Sequence, residues 1–201
     1  MNLFDNIASI TIDTELIFWV FMAFDEQLDS LVRNCKKGRN EAFEELFELY
    51  QPRLKYYVRR LNGTGTNTED ILQDVWLTVI RKIRRLKNAQ SFPVWLYRIA
   101  RNKIYSGSRE KIRFTALPEE QAGEQFRDDN EPELTADDAA RLHEALNNIQ
   151  PYHREVLTLL FIEQMSYKAI AEIIGSNIGT VRSRIYYAKK SLRKEMDKYN
   201  G

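Results

Sequence analysis

The stretch SYKAIAEIIGSNIGTVRSRI, from Ser166 to Ile185, decides the fold, because it spells a helix, a tight turn and a second helix. Tyr167, Ile170, Ala171 and Ile174 recur at three- and four-residue steps, and Val181, Ile185, Ala188 and Leu192 repeat the pattern in the second segment. Each helix therefore carries one apolar stripe, and the two stripes can pack on each other. Gly175 supplies the permissive backbone that ends the first helix, and Asn177 suits the N-cap of the second. This is the pattern of a DNA-binding helix-turn-helix.

At about 100° per residue, the face of the second helix opposite its stripe carries Gly179, Ser183, Tyr186, Tyr187 and Lys190, flanked by Arg182 and Arg184. With Lys168, Asn177 and Thr180 around the turn, these form the candidate DNA-reading set. The face is small near the helix start, hydrogen-bonding beyond it and cationic at its edges, which suits a major groove. An αα-hairpin with a merely solvated basic surface has the same periodicity. The glycine, the cap and the arginine placement favour the DNA reader.

Working outward, the charge of the chain is unevenly spread. The 201 residues are 43% apolar and 29% charged, ordinary for a globular protein of one large or two small domains, and the net charge is only +1. Residues 1–35 carry a net −5, 36–113 a net +10, 114–140 a net −8 and 141–201 a net +4. Two basic blocks are separated by an acidic tether, which a uniform reading of the net charge would hide. Lone Cys35 cannot form an internal disulfide, and His143 and His153 make no cluster at metal-ligand spacing. A reducing cytoplasm, no structural zinc and an inert, half-buried thiol are the expectations. The apolar run Leu16 to Phe24 is too short to span a bilayer and lacks the preceding cations of a signal peptide. Residues 1–23 are an N-terminal extension of uncertain role; with Met22 as a second possible start, the first 21 are expected to be an added segment or an over-extended start, and a partner-binding extension is the rival reading.

The first basic block predicts four helices. One runs from about Phe24 to Lys37 and stops at Gly38. A long one from Glu41 to Leu61 carries Phe43, Leu46, Phe47, Tyr50, Leu54, Tyr57, Val58 and Leu61 on one face, with Pro52 expected to kink or divide it. Thr68 caps a third, expected to reach Lys87, with the stripe Leu72, Val75, Val79, Ile83 and Leu86. The fourth begins near Phe92 and Pro93, where proline suits a first turn, and continues to about Tyr105. Pro118, Gly123, Pro132 and the acidic run mark 114–135 as an exposed linker. Beyond it, one helix is expected from Ala136 to Asn148 and another from Pro151 to Glu163. No strand pattern appears, so the fold class is all-α: two small helical domains, 24–113 and 136–201, on an acidic flexible linker.

No nucleophile elbow, phosphate loop or Ser/His/Asp arrangement stands out, and the chain is not expected to be an enzyme. In contrast, QSFPVWLYRIARNK, residues 90–103, interleaves Phe, Trp and Tyr with Arg, Asn and Lys. Stacking surfaces beside cations suit unpaired bases, which offer π-faces and phosphates together. Most of the apolar positions there also serve a core; Arg98, Arg101, Asn102 and Tyr105 are expected on the outside.

With these motifs in hand, the chain resembles the extracytoplasmic-function (ECF) sigma factors of the bacterial sigma family, over roughly residues 25–195. TEDILQDVW (68–76) resembles the family's polymerase-binding helix, FPVWLYRIARN (92–102) the helix that melts and reads the minus-ten element, and Ser166 to Arg184 the minus-35 reader, all in family order. The resemblance implies that Asp70, Gln73, Asp74 and Trp76 face the polymerase core at its beta-prime subunit. It implies that Phe92, Trp95, Arg98, Arg101, Asn102 and Tyr105 contact the minus-ten strand. Lys168, Asn177, Gly179, Thr180, Arg182, Ser183, Tyr186, Tyr187 and Lys190 would contact the minus-35 element. It further implies promoter DNA and an anti-sigma protein, often membrane-bound, as partners, with no cofactor and no small-molecule substrate. The rival is a stand-alone helix-turn-helix regulator with an N-terminal dimerisation or effector module. A sigma factor needs a second DNA-contacting surface and a core-binding face within residues 25–113; a regulator needs neither.

Overall fold

The computed structural model describes residues 26–62, 68–106 and 144–198, and these contain helices and turns but no strand. The N-terminal extension, the linker 114–135 and most of the helix expected over 136–148 lie outside the described residues. Helix α1 (26–36) buries Leu28, Leu31, Val32 and Cys35, and the chain turns at Gly38, whose φ of 81° is the left-handed conformation that glycine adopts without strain. Helix α2 (Asn40–Asn62) runs unbroken through Pro52, so the expected division there does not occur. Its core face follows the expected stripe at Leu46, Tyr50, Leu54, Tyr57, Val58 and Leu61, but Phe47 of that stripe is exposed and Phe43 only half-buried.

Helix α3 (Thr68–Lys82) ends earlier than expected and continues as a 3-10 turn over Ile83–Arg85. Its final turn carries Arg81 and Lys82, followed at once by Arg84, Arg85 and Lys87. The backbone at Lys82 stays in the right-handed region but at φ −118°, ψ −8°, where the 3-10 turn takes over, and Ile83 still reaches the core. Helix α4 (Phe92–Tyr105) starts with proline in its first turn, as expected. After the short helix α5 (144–148), α6 (Pro151–Leu157) does not run to Glu163 as one α-helix. It opens into a π turn over Thr158–Ile162, closed by the Glu163 N–H donating to the Thr158 carbonyl at 3.1 Å. Such π turns recur at functional sites, and this one is followed by Gln164 at φ 52°.

Helices α7 (Tyr167–Ile174) and α8 (Ile178–Asp197) form the helix-turn-helix. Ser166 Oγ accepts from the Ala169 N–H at 3.2 Å to cap α7; Gly175 closes it at φ 69°, ψ 42°; Asn177 Oδ1 accepts from the Thr180 N–H at 2.7 Å to cap α8. The stripes meet as expected, with Ile170, Ala171 and Ile174 against Val181, Ile185 and Ala188, all buried. Ile173, outside that stripe, is buried too, because α7 packs on α4 as well as on α8. One continuous core therefore joins Leu46, Leu54, Val79 and Leu96 of the first half to Leu146, Val156, Ile170 and Ile185 of the second.

Candidate nucleic-acid interface

Over residues 178–190 of α8 the exposed side chains are Arg182, Tyr186 and Lys190, with Ile178 exposed at the helix start; Arg193, Lys194 and Asp197 are exposed near its end. The four-residue spacing of Ile178, Arg182, Tyr186 and Lys190 places them on one ridge. Tyr187 is half-buried and meets Tyr186 edge-on at 5.3 Å between ring centroids. Lys168 and Asn177 are exposed beside the ridge, and Thr180 is half-buried. Asn177 Oδ1, however, is engaged as the cap, and a Cβ at Gly179 would come within 3.2 Å of that oxygen. Gly179 thus keeps the cap intact, and the bare backbone there leaves room for close approach.

Two expectations fail on this helix. Ser183 is 1% exposed, and its hydroxyl donates to the Thr180 carbonyl at 3.1 Å, the back-bond that short hydroxyl side chains make within helices; it does not reach out to a base. Arg184 is buried as well, its guanidinium 5.8 Å from the centre of the Tyr152 ring, so it braces α8 on α6 and does not flank the groove-facing ridge.

On α4 the candidate residues separate into three groups. Arg98 and Asn102 are exposed and Trp95 is half-buried, forming a short open row. Phe92, expected to contact DNA, is fully buried against Tyr50 (5.2 Å, edge-on), and Tyr105 is buried beneath the Arg101 guanidinium. Both are core residues, because the first and last turns of α4 are clamped by α2 and by the second half of the chain. Arg101 is turned inward too: its Nε donates to Glu155 Oε1 at 2.9 Å. Burial works against its charge, but Glu155 and the phenols of Tyr57 and Tyr105 outweigh that and hold its pKa above the ordinary arginine value. Tyr57 donates to the same carboxylate oxygen at 3.0 Å, and burial, then Glu155, pushes its pKa well up.

On α3, Asp70 and Gln73 are exposed, as expected for a docking face; Asp74 is exposed and meets Lys103 of α4 at 3.0 Å. Trp76 does not face outward. It is buried, its Nε1 donates to Gln51 Oε1 at 2.7 Å, and its ring lies 5.0 Å from that of Phe47. What the sequence reading missed is the apolar continuation of the face. Leu77 (40% exposed) and Ile80 (55%) follow Asp70 and Gln73 at helical steps, and Phe47 (42%) stands beside them across Trp76. The signal was present, since Leu77 and Ile80 fall off the Leu72/Val75/Val79 stripe.

Residues 46–113 match the family model described as Sigma-70 region 2, and residues 139–192 match that of Sigma-70, region 4. Over 179 residues the chain is 30% identical to the ECF RNA polymerase sigma factor SigD of Mycobacterium tuberculosis, covering 85% of this chain and 84% of that one. The chain belongs to the ECF sigma factors. This ECF sigma factor is also 31% identical over 163 residues to SigE of Mycolicibacterium smegmatis, where the match covers 79% of this chain but only 63% of the relative. Among solved structures it resembles the sigma factor RpoE in complex with the anti-sigma factor NepR from Bartonella quintana, with a TM-score of 0.58 and 25% identity over 77% of this chain and 96% of that one. The two sigma regions, in order, make it a promoter-specificity factor of RNA polymerase, not a stand-alone regulator.

Proposed function

We propose that this ECF sigma factor docks on the polymerase core through the α3 face of Asp70, Gln73, Asp74, Leu77 and Ile80, and brings the enzyme to promoters recognised at two elements. Arg182, Tyr186 and Lys190 read the minus-35 duplex from the major groove, with Lys168 and the end of α8 on the phosphates. Trp95, Arg98 and Asn102 hold the opened minus-ten strand, the ring for stacking and the polar groups for backbone and base edges. The domains 24–113 and 136–201 carry these tasks separately, and the protein works in the cytoplasm without covalent chemistry of its own. An anti-sigma partner fits this reading, since the RpoE relative was solved in complex with one.

The observation that carries the proposal is the pairing, in one chain, of an exposed Arg182–Tyr186–Lys190 ridge with a second exposed aromatic-cation row on α4 and a mixed acidic and apolar face on α3. A regulator has no use for the last two. The test is a titration of fluorescently labelled protein with purified polymerase core. The double variant Asp70→Lys, Asp74→Lys, folded by circular dichroism, should lose core binding; unchanged binding would refute the α3 assignment.

A further inference from the structure

The surface on which the second half of the chain sits is lined with arginines, and the groups that meet them are mostly carboxylates and carbonyls. From α2 and α4 come Arg53, Arg60 and Arg101. Opposite them, Glu155 of α6 accepts from Arg101 and Tyr57, and Glu163, after the π turn, accepts from Arg53 Nε at 3.0 Å. Arg53 also reaches the Glu163 carbonyl at 3.4 Å, and Arg60 donates to Asn147 Oδ1 at 2.7 Å, while Arg154 returns a bond to the Arg60 carbonyl at 2.9 Å. Glu155 is wholly buried, and the side chain of Glu163 is 1% exposed. Placing two carboxylates in an interface costs several kcal/mol of desolvation each, which apolar residues there would not incur. A permanent interface gains little from such groups; one that has to be exchanged for another polyanion uses them well.

We propose that Glu155 and Glu163 form a two-point latch that keeps the two halves of the free protein closed, and that Glu155 stands in for a nucleic-acid phosphate at Arg101. When the halves part, Arg101 passes to the backbone of a single strand held on α4; this second step rests on the reading of α4 given above. Closure and promoter binding exclude each other on length alone. Elements centred about 25 base pairs apart lie roughly 85 Å apart along B-DNA, whereas a compact chain of this size has a radius of gyration of only about 17 Å. In the closed form the open row Arg98–Asn102 and the α8 ridge remain exposed, but Arg101 is occupied and the spacing cannot be met.

The experiment uses the full chain with Cys35→Ala and spin labels at Glu48→Cys and Lys194→Cys, two exposed positions on opposite halves. Electron–electron distance measurement on this protein should give one short distribution, and Glu155→Gln, Glu163→Gln should add a longer one. The same double variant should bind a fluorescein-labelled single-stranded 12-mer roughly tenfold more tightly, as one freed charge-assisted contact would give, and Arg101→Ala should cancel that gain. A long distance already present without the glutamine changes would overturn the latch, as would an unchanged distribution in the folded double variant. Should the double variant fail to fold, Glu155→Gln alone in the labelled protein decides: it should add a longer distance and tighten 12-mer binding, and a folded single variant that does neither overturns the latch and the exchange. Arg98→Ala and Asn102→Ala report on α4 separately. If they leave 12-mer binding unchanged, the α4 reading and the Arg101 exchange fall, while the distance data still decide the latch.

Discussion

His153 makes the stability of this fold depend on pH in a way that can be isolated. Its ring lies in α6, 5% exposed, edge-on to Tyr152 at 4.3 Å, with neither nitrogen hydrogen-bonded, and Arg184 lies close by. Burial first, and the Arg184 charge second, push its pKa from 6.5 down to about 4. The unfolded chain therefore binds a proton between about pH 6.5 and 4 that the folded chain refuses, so stability falls as pH is lowered through that window. At ~1.4 kcal/mol per pKa unit, the loss by pH 4 is about 3 kcal/mol. Glu163 acts with the opposite sign: burial raises its pKa despite Tyr97 and Arg53, so it favours the fold as pH drops toward the ordinary carboxylate range. The clean quantity is the difference between the wild type and His153→Gln, in which the Glu163 contribution cancels. Urea unfolding at pH 7, 6, 5 and 4 should show the variant gaining about 3 kcal/mol on the wild type across the series. Parallel stability curves for the two proteins would refute the reasoning.

Arg182→Ala should relax discrimination at a single minus-35 base pair by roughly 1–3 kcal/mol, whereas Ser183→Ala should leave the preference unchanged, both measured on a duplex library at two salt concentrations. A uniform loss over all sequences for Arg182→Ala would reassign it to a phosphate. Gly175→Ala should lower stability by about 1–2 kcal/mol, because its cost is the left-handed φ and not crowding, with nothing within 4 Å of the added Cβ; thermal melting reads it directly. Trp76→Ala should destabilise by roughly 3–5 kcal/mol and also weaken core binding, since it removes the support of the Phe47 and α3 surface; a stable variant with weakened core binding would restore Trp76 as a direct contact.

The helix-turn-helix was readable almost residue by residue, because its caps and its turn glycine are local devices: Ser166, Gly175 and Asn177 act within three or four positions of themselves. The limits of α4 were equally local, set by Pro93 at its start. Long-range packing was not readable in this way. Periodicity marks Arg101 and Tyr105 as outward, and only the arrival of α6 and α7 from more than fifty residues away turns them in. Ser183 escaped for a different reason, since a face assigned by angle takes no account of a hydroxyl that bonds its own helix. The π turn after Leu157 carries no sequence signature of the kind the α-helical stripes provide, yet it precedes Glu163, which meets Arg53.

Run-off transcription tests the central claim most directly. Purified polymerase core, linear templates carrying randomised minus-35 and minus-ten elements, and this protein should yield transcripts from a narrow, reproducible promoter set. Those transcripts should disappear when the protein is omitted or carries Asp70→Lys, Asp74→Lys. Core that initiates equally well without the protein, or a protein that binds duplex DNA tightly yet yields no transcript from any template, would contradict the account.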